Sequence, residues 1–167
     1  AILNADEDYT ADLAKRLRSR TLFFSSTRDV AQGFALHDDQ LVLSGYGDED
    51  EFYPSDMIKI PGLHNIENVM TAIMAARMCG CTPEGIIKTI SSFRGIGHRI
   101  EFIAEKQGVA YYDDSKGTNV GAVVRALETF HNPVILLLGG RDKDGDFETL
   151  EPLIRERVKS LILFGEA

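Results

Sequence analysis

Apolar residues change their rhythm several times along this chain, and each change marks an element. Tyr9, Leu13 and Leu17 recur at helical spacing across residues 8–18, whereas residues 21–56 carry short alternating runs such as Thr21-Leu22-Phe23-Phe24 and Gln40-Leu41-Val42-Leu43. The first pattern predicts a helix and the second predicts strands, because side chains repeat every 3.6 residues in one and every second residue in the other. Asp38-Asp39 stands between Phe34-Ala35-Leu36 and Leu41-Val42-Leu43. It predicts a hairpin turn, since Asp tolerates the left-handed or type I geometry needed there. Helical spacing returns over residues 64–79, with Val69, Ile73 and Ala76 on one face and Gly80 placed to stop the helix. A further helix is predicted from Thr82-Pro83-Glu84 to near Phe93, with an apolar stripe of Ile86, Ile87 and Ile90. Thr82 can cap the free amides there, and Pro83 suits a first turn in which its missing N–H would have had no partner.

Arg94-Gly95-Ile96-Gly97 is a linker pattern, and it divides the chain into a first domain of residues 1–95 and a second of residues 96–167. Beyond it, Ile100, Phe102 and Ile103 and then Val109, Tyr111 and Tyr112 flank Gln107-Gly108 and predict a hairpin. Helix 119–130, strand 133–138, helix 147–158 and strand 161–164 follow. Strands alternating with helices predict an α/β fold with a parallel sheet and right-handed crossovers. Ala1-Ile2-Leu3 reads as the end of a buried strand. Leu161-Ile162-Leu163-Phe164-Gly165 reads as another, without the helix that should cover it. Together these ends predict an internal fragment of a longer polypeptide.

Composition narrows the partners. With 167 residues, 44% of them hydrophobic, the chain is long enough to bury a core. Its 26 acidic side chains against 18 basic ones give a formal net charge of −8. That argues against adhesion to nucleic acid or to an anionic membrane, so any bound phosphate must be held locally. No apolar run approaches the roughly 20 residues of a membrane helix, and no secretory signal is present; a soluble, cytoplasmic protein is predicted. Cys79 and Cys81 have no second Cys or His cluster to complete a zinc site, so two small buried thiols are expected.

Four clusters could carry chemistry. Asp113-Asp114-Ser115-Lys116-Gly117-Thr118-Asn119 occupies a strand-to-helix turn, where open α/β sheets bind anions and nucleotides. There Lys116 could hold a phosphate or carboxylate, Asp114 could accept from a ribose hydroxyl and Thr118 could donate to a substrate oxygen. The same residues would also serve as a capped helix start with solvated charges. Asn65 and Asn68 share a helix face three residues apart, close to His64, and could contact a base or phosphate; His64 or Asn65 could instead cap the helix. Gly139-Gly140-Arg141-Asp142-Lys143 follows an apolar strand, where Lys143 could meet a carboxylate or the glycines could simply turn. Arg99 lies just past the linker, able to touch a nucleotide or to stand as a surface arginine. Neither a Walker A sequence nor a Gly-x-Gly-x-x-Gly fingerprint occurs in the chain.

Gly62-Leu63-His64-Asn65-Ile66-Glu67-Asn68, Gly97-His98-Arg99-Ile100-Glu101, the 113–119 motif and Gly139-Gly140-Arg141-Asp142-Lys143-x-x-Asp146-Phe147 occur in the order and spacing of the Mur ligases, which the chain resembles over nearly its whole length. The resemblance implies the later part of a central ATPase domain followed by the first part of a Rossmann-like C-terminal domain. It implies an enzyme of peptidoglycan synthesis, monomeric in its complete form, that uses ATP and magnesium to activate a carboxylate as an acyl phosphate for attack by an amine. UDP-N-acetylmuramoyl-L-alanine and D-glutamate are the substrates it points to. On the same ground Asn65 and Asn68 would contact ATP, with His64 in the same motif, and Arg99 and Asp114 would bind its phosphate or ribose side. Lys116 and Thr118 would face the acyl phosphate and incoming amino acid, and Lys143 would pair with the D-glutamate side-chain carboxylate. The family's P-loop, magnesium ligands and modified lysine fall before Ala1, and the residues finishing the D-glutamate pocket fall after Ala167, so the fragment alone is expected to be inactive. Another Mur ligase, a folylpolyglutamate synthase, or a noncatalytic nucleotide-binding module are the alternatives.

Overall fold

The alternating runs of the first half lie side by side. β1 (Ile2–Asn4), β2 (Leu22–Ser25), β3 (Gly33–His37), β4 (Gln40–Ser44) and β5 (Glu51–Pro54) form one sheet in chain order. β1, β2 and β3 run parallel, and β4 and β5 are added antiparallel. The first parallel step is closed by α1 (Asp8–Arg16), which carries the chain back along the sheet. The β3–β4 step needs only Asp38-Asp39, and Asp38 adopts φ 48°, the left-handed geometry its short polar side chain accepts. The computed structural model describes residues 1–141 and 145–166.

Against this sheet lies α2 (Leu63–Met78), which buries Val69, Met70, Ile73 and Met74. These positions recur at three- and four-residue intervals, so one helix face meets Leu22, Phe34, Leu41, Leu43 and Tyr53 of the sheet. Each such side chain removed from water stabilises the fold by about 1.5–3 kcal/mol. α3 (Pro83–Ser92) adds Ile86 to the same core, and its start is capped by Thr82, whose Oγ1 accepts from the Gly85 N–H at 3.2 Å. Gly80 ends α2 at φ 86°, a conformation open to glycine at no steric cost. Cys79 and Cys81 flank that turn and are exposed, contrary to the expectation of buried thiols. They sit where the helix has left the core, so their small size places them without burying them. Arg77 in the last turn of α2 donates to both carboxylate oxygens of Glu51 at 2.7–3.0 Å, and the Tyr53 hydroxyl donates to Glu51 at 2.6 Å.

The chain packs as two compact units, Ala1–Arg94 and Gly95–Ala167. In the second, β6 (Glu101–Lys106) and β7 (Val109–Asp113) pair antiparallel through a two-residue turn, with Gln107 at φ 54° and Gly108 at φ 75°. α4 (Val120–Thr129), β8 (Val134–Gly140), a 3-10 turn (Phe147–Leu150), α5 (Glu151–Arg157) and β9 (Val158–Gly165) follow, and β8 and β9 pair in parallel. Leu127 and Leu150 are the fully buried apolar side chains where α4 meets the 3-10 turn.

The hairpin expected at Gln107-Gly108 and the parallel pairing expected of strands that alternate with helices both form, as two separate two-stranded sheets among the described residues. One expectation changes here. The strand around Leu161-Ile162-Leu163-Phe164 forms but is exposed rather than buried, at 39–64%. A two-stranded sheet flanked by a seven-residue helix has too little apolar surface to cover it. No helix among the described residues is long and apolar enough to cross a membrane.

Candidate functional site

The antiparallel ribbon sets up the central geometry. Because β6 and β7 pair from Glu101 opposite Asp113, the segment entering β6 and the segment leaving β7 must emerge side by side. Residues 97–100 and 113–119 are these segments, and backbone and side-chain bonds stitch them together. The Lys116 N–H donates to the His98 carbonyl at 3.0 Å, and the Ile100 N–H donates to Asp114 Oδ1 at 3.0 Å. His98 Nδ1 lies 2.7 Å from Asp113 Oδ2. His98 and Ile100 hold φ of 66° and 44°, positions that non-glycine residues take only where surroundings enforce them. For Ile100 the enforcement is visible: its amide is tied to Asp114 and its side chain is buried.

Charge is concentrated in the same place. The imidazole of His98, together with the Ser115 N–H at 2.8 Å, holds the Asp113 carboxyl at about 2, and Asp113 in return raises His98 above its ordinary value. Glu101 Oε2 accepts from the His98 backbone N–H at 2.8 Å. His98, Glu101 and Asp113 have the spacing of metal ligands. Magnesium, which the family resemblance implies, takes oxygen ligands in an octahedral shell, and this trio offers an imidazole plus carboxylates already bonded to N–H donors. It does not fit that ion.

The helix start and the ligand loop are separable. Asn119 caps α4, its Oδ1 accepting from the Ala122 N–H at 2.9 Å. Capping therefore uses Asn119 and leaves Lys116 and Thr118 exposed, with no side-chain hydrogen bond or ion pair among the described residues. Arg99 is likewise exposed and uncommitted. Asp114 is half-buried and partly engaged through Ile100, so its position is fixed while Oδ2 faces Gly117. A Cβ on Gly117 would lie 2.7 Å from that oxygen and 3.0 Å from the Asp114 carbonyl, so the close approach requires glycine. The structure thus brings together Arg99, Asp114 and Lys116, with Thr118 on the same loop.

In the first unit, His64, Asn65 and Asn68 occupy the opening turns of α2. The capping alternative for His64 or Asn65 does not hold, because the N-cap position belongs to Gly62, which has no side chain to offer. Asn65 instead donates to the Pro61 carbonyl at 2.6 Å and receives Asn68 Nδ2 at 3.5 Å, so the two carboxamides do share a face. Beside them is a network that sequence reading missed. Asp6 accepts from the Ser25 and Thr27 hydroxyls at 2.6 Å each and from the Ser26 N–H at 2.9 Å, and the Ser26 hydroxyl donates to Glu67 at 2.8 Å. Burial opposes the charge on Asp6, but these donors and nearby Arg28 hold its carboxyl below the ordinary value. The Ser25-Ser26-Thr27 run was the available signal, a row of hydroxyls at a strand end.

Gly139 and Gly140 are the last residues of β8, paired with Phe164 and Gly165, and do not form a turn. A Cβ on Gly139 would overlap the Phe164 carbonyl, which explains why the strand ends in glycine. Lys143 lies outside the described residues.

Residues 98–167, which include the stitched loops, match the family model described as Mur ligase, glutamate ligase domain. Over its full length the chain is 61% identical to a UDP-N-acetylmuramoylalanine--D-glutamate ligase of Syntrophus aciditrophicus and 44% identical to one of Geotalea daltonii. It spans 37% of the length of each. Among solved structures, MurF from Acinetobacter baumannii superposes with a TM-score of 0.70 over 99% of this chain and 38% of its own, at 19% identity, and MurC from Thermotoga maritima with 0.57 over 99% and 43%, at 14%. At such identities these structures speak to the fold, and the relatives speak to descent. With the relatives matched from end to end of this sequence and the glutamate ligase domain matched over its second part, the chain belongs to the Mur ligase family.

Proposed function

We propose that this chain is part of an ATP-dependent amide ligase that joins D-glutamate to UDP-N-acetylmuramoyl-L-alanine in peptidoglycan synthesis. Residues 1–95 are read as the later part of its nucleotide-binding domain and residues 96–167 as the first part of its ligase domain. The observation that carries the reading is the stitched pair of loops, whose bonds set the backbones of the exposed Arg99 and Lys116 on adjoining segments beside the pinned carboxylate of Asp114. ATP supplies the phosphoryl group that turns a substrate carboxylate into an acyl phosphate, and the amine of D-glutamate then displaces inorganic phosphate to leave an amide.

Every stage of that chemistry develops negative charge on oxygen, and preorganised cations are what it requires. Arg99 presents a planar fork suited to two phosphate oxygens, while Lys116 follows a shifting charge on a flexible stem. Asp114 accepts a ribose hydroxyl, and Thr118 donates to the substrate acyl group. Asn65 and Asn68, already aligned on one face, offer carboxamide edges to the adenine, with His64 beside them, and Lys143 answers the side-chain carboxylate of D-glutamate. The test is phosphate release by the intact protein in the presence of ATP, the nucleotide precursor and one amino acid at a time. Turnover with D-glutamate and not with L-glutamate or diaminopimelate is expected; preference for another amino acid would overturn the assignment.

A further inference from the structure

We infer that His98 and Asp113 form a positioning pair, a latch that locks residues 97–100 onto the 113–119 loop so that Arg99 and Lys116 act as one anion-binding unit; this rests on the phosphate-binding role proposed above. Three links join the two segments, and they bracket the two cations. One runs between backbones, from the Lys116 N–H to the His98 carbonyl, and one from the Ile100 backbone N–H to the Asp114 carboxylate. The third link is between side chains, His98 Nδ1 to Asp113 Oδ2 at 2.7 Å, and it alone joins two ionisable groups. His98 stands at φ 66°, so an anchor is needed to keep its carbonyl turned toward the Lys116 amide. Both groups of the pair are open to solvent, with side-chain exposures of 63% and 32%. An ion pair so exposed adds little to global stability, so its contribution is to local geometry. The charged groups that face His98 are Asp113, Glu101 and Lys116.

The roles differ in kind. Arg99 and Lys116 touch the anion in this reading, whereas His98 and Asp113 act through them. Loss of the latch leaves both cations present but no longer held in one arrangement, which weakens phosphate binding before it affects the fold.

The test compares Asp113→Ala, His98→Asn, their double variant and Asp113→Asn in the intact ligase. Asn at position 98 tolerates the left-handed backbone while removing the imidazole, and Asn at position 113 keeps an acceptor for Nδ1. Each of the first two is expected to raise the KM for ATP by about three- to tenfold, the equivalent of one hydrogen bond, with the double variant no worse than either single. The KM for D-glutamate should move less than that for ATP, Tm should stay within about 2 °C, and Asp113→Asn should restore most of the loss. Additive single effects, an unchanged KM for ATP, or a loss that follows Tm and is not rescued by Asn would overturn the latch. Hydrogen exchange at the Lys116 amide gives a readout free of catalysis: it should quicken in Asp113→Ala, and equal protection in both proteins would also overturn the latch. If the unaltered protein fails to use ATP, the functional reading falls by itself, and the exchange result still decides the latch.

Discussion

Asp114 accepts the backbone N–H of Ile100 at 3.0 Å, fourteen residues away, and thereby holds a buried β-branched residue at φ 44°. One carboxylate oxygen is used in shaping the loop and the other remains for a ligand. Replacing Asp114 by Asn keeps an acceptor for Ile100 but removes a charge and one ligand acceptor. Asp114→Asn is expected to unfold at the same temperature as the unaltered protein while binding ATP about tenfold more weakly, as the loss of roughly one charge-assisted hydrogen bond dictates. Asp114→Ala orphans the Ile100 amide as well and should lose about 1–3 kcal/mol of local stability. Thermal unfolding and calorimetric titration of the intact protein check both, and an Asn variant that binds ATP normally would remove Asp114 from the nucleotide site.

Gly117 gives a second, steric handle on the same oxygen. A methyl group there would press on Asp114 Oδ2 and on the Asp114 carbonyl, which accepts the Gly117 N–H at 2.7 Å. The loop must open to admit it, shifting Lys116 from its bond to the His98 carbonyl. Gly117→Ala is therefore expected to cost more nucleotide affinity than Lys116→Met, because it disturbs Asp114 and Lys116 together. Affinities measured side by side check the order, and equal or smaller loss in Gly117→Ala would show that the loop tolerates displacement.

What the sequence made legible was local. The α2 stripe, the Thr82-Pro83 start of α3 and the hairpin turns at Asp38-Asp39 and Gln107-Gly108 were readable because their causes lie within a few residues. The candidate residues Arg99, Asp114, Lys116 and Thr118 were visible as types in motifs. The bonds from the Lys116 N–H to the His98 carbonyl and from the Ile100 N–H to the Asp114 carboxylate were not, since they join residues 18 and 14 apart and each uses at least one backbone group that says nothing of its partner. The exposure of Cys79 and Cys81 depended on where α2 leaves the core, and that of Leu161 to Phe164 on how many strands flank β9. Neither is a property of the residues themselves.

Away from the site, the first unit carries a titratable strut. Glu51 is bonded by Arg77 and by the Tyr53 hydroxyl, and its carboxyl is held below its ordinary value of 4.5 although burial pulls the other way. A depressed carboxyl contributes stability above its unfolded value, and that contribution is lost as pH falls through the folded one. As pH falls below about 4.5, thermal stability should drop by more in the unaltered chain than in Glu51→Ala. With side-chain exposures of 21% for Arg77 and 18% for Glu51, removing Glu51 should cost about 3 kcal/mol at pH 7. Parallel pH profiles for the two proteins would show that the strut contributes nothing.

The latch has its own pH window, and the sign differs for its two members. Asp113 is depressed to about 2 from 3.8, so its share is present above 3.8 and is lost as pH falls toward 2. His98 is raised from 6.5, so its share is full below 6.5 and is lost as pH rises through the elevated value. The charged pair is therefore complete between about pH 4 and 6.5 and weakens on either side, although neutral His98 can still donate from Nδ1. An NMR titration of the His98 ring should show its midpoint above that of an unpaired histidine, returning toward 6.5 in Asp113→Asn, which keeps the hydrogen bond but not the charge. A midpoint at 6.5 in the unaltered protein would mean that the two groups do not share a proton bridge in solution.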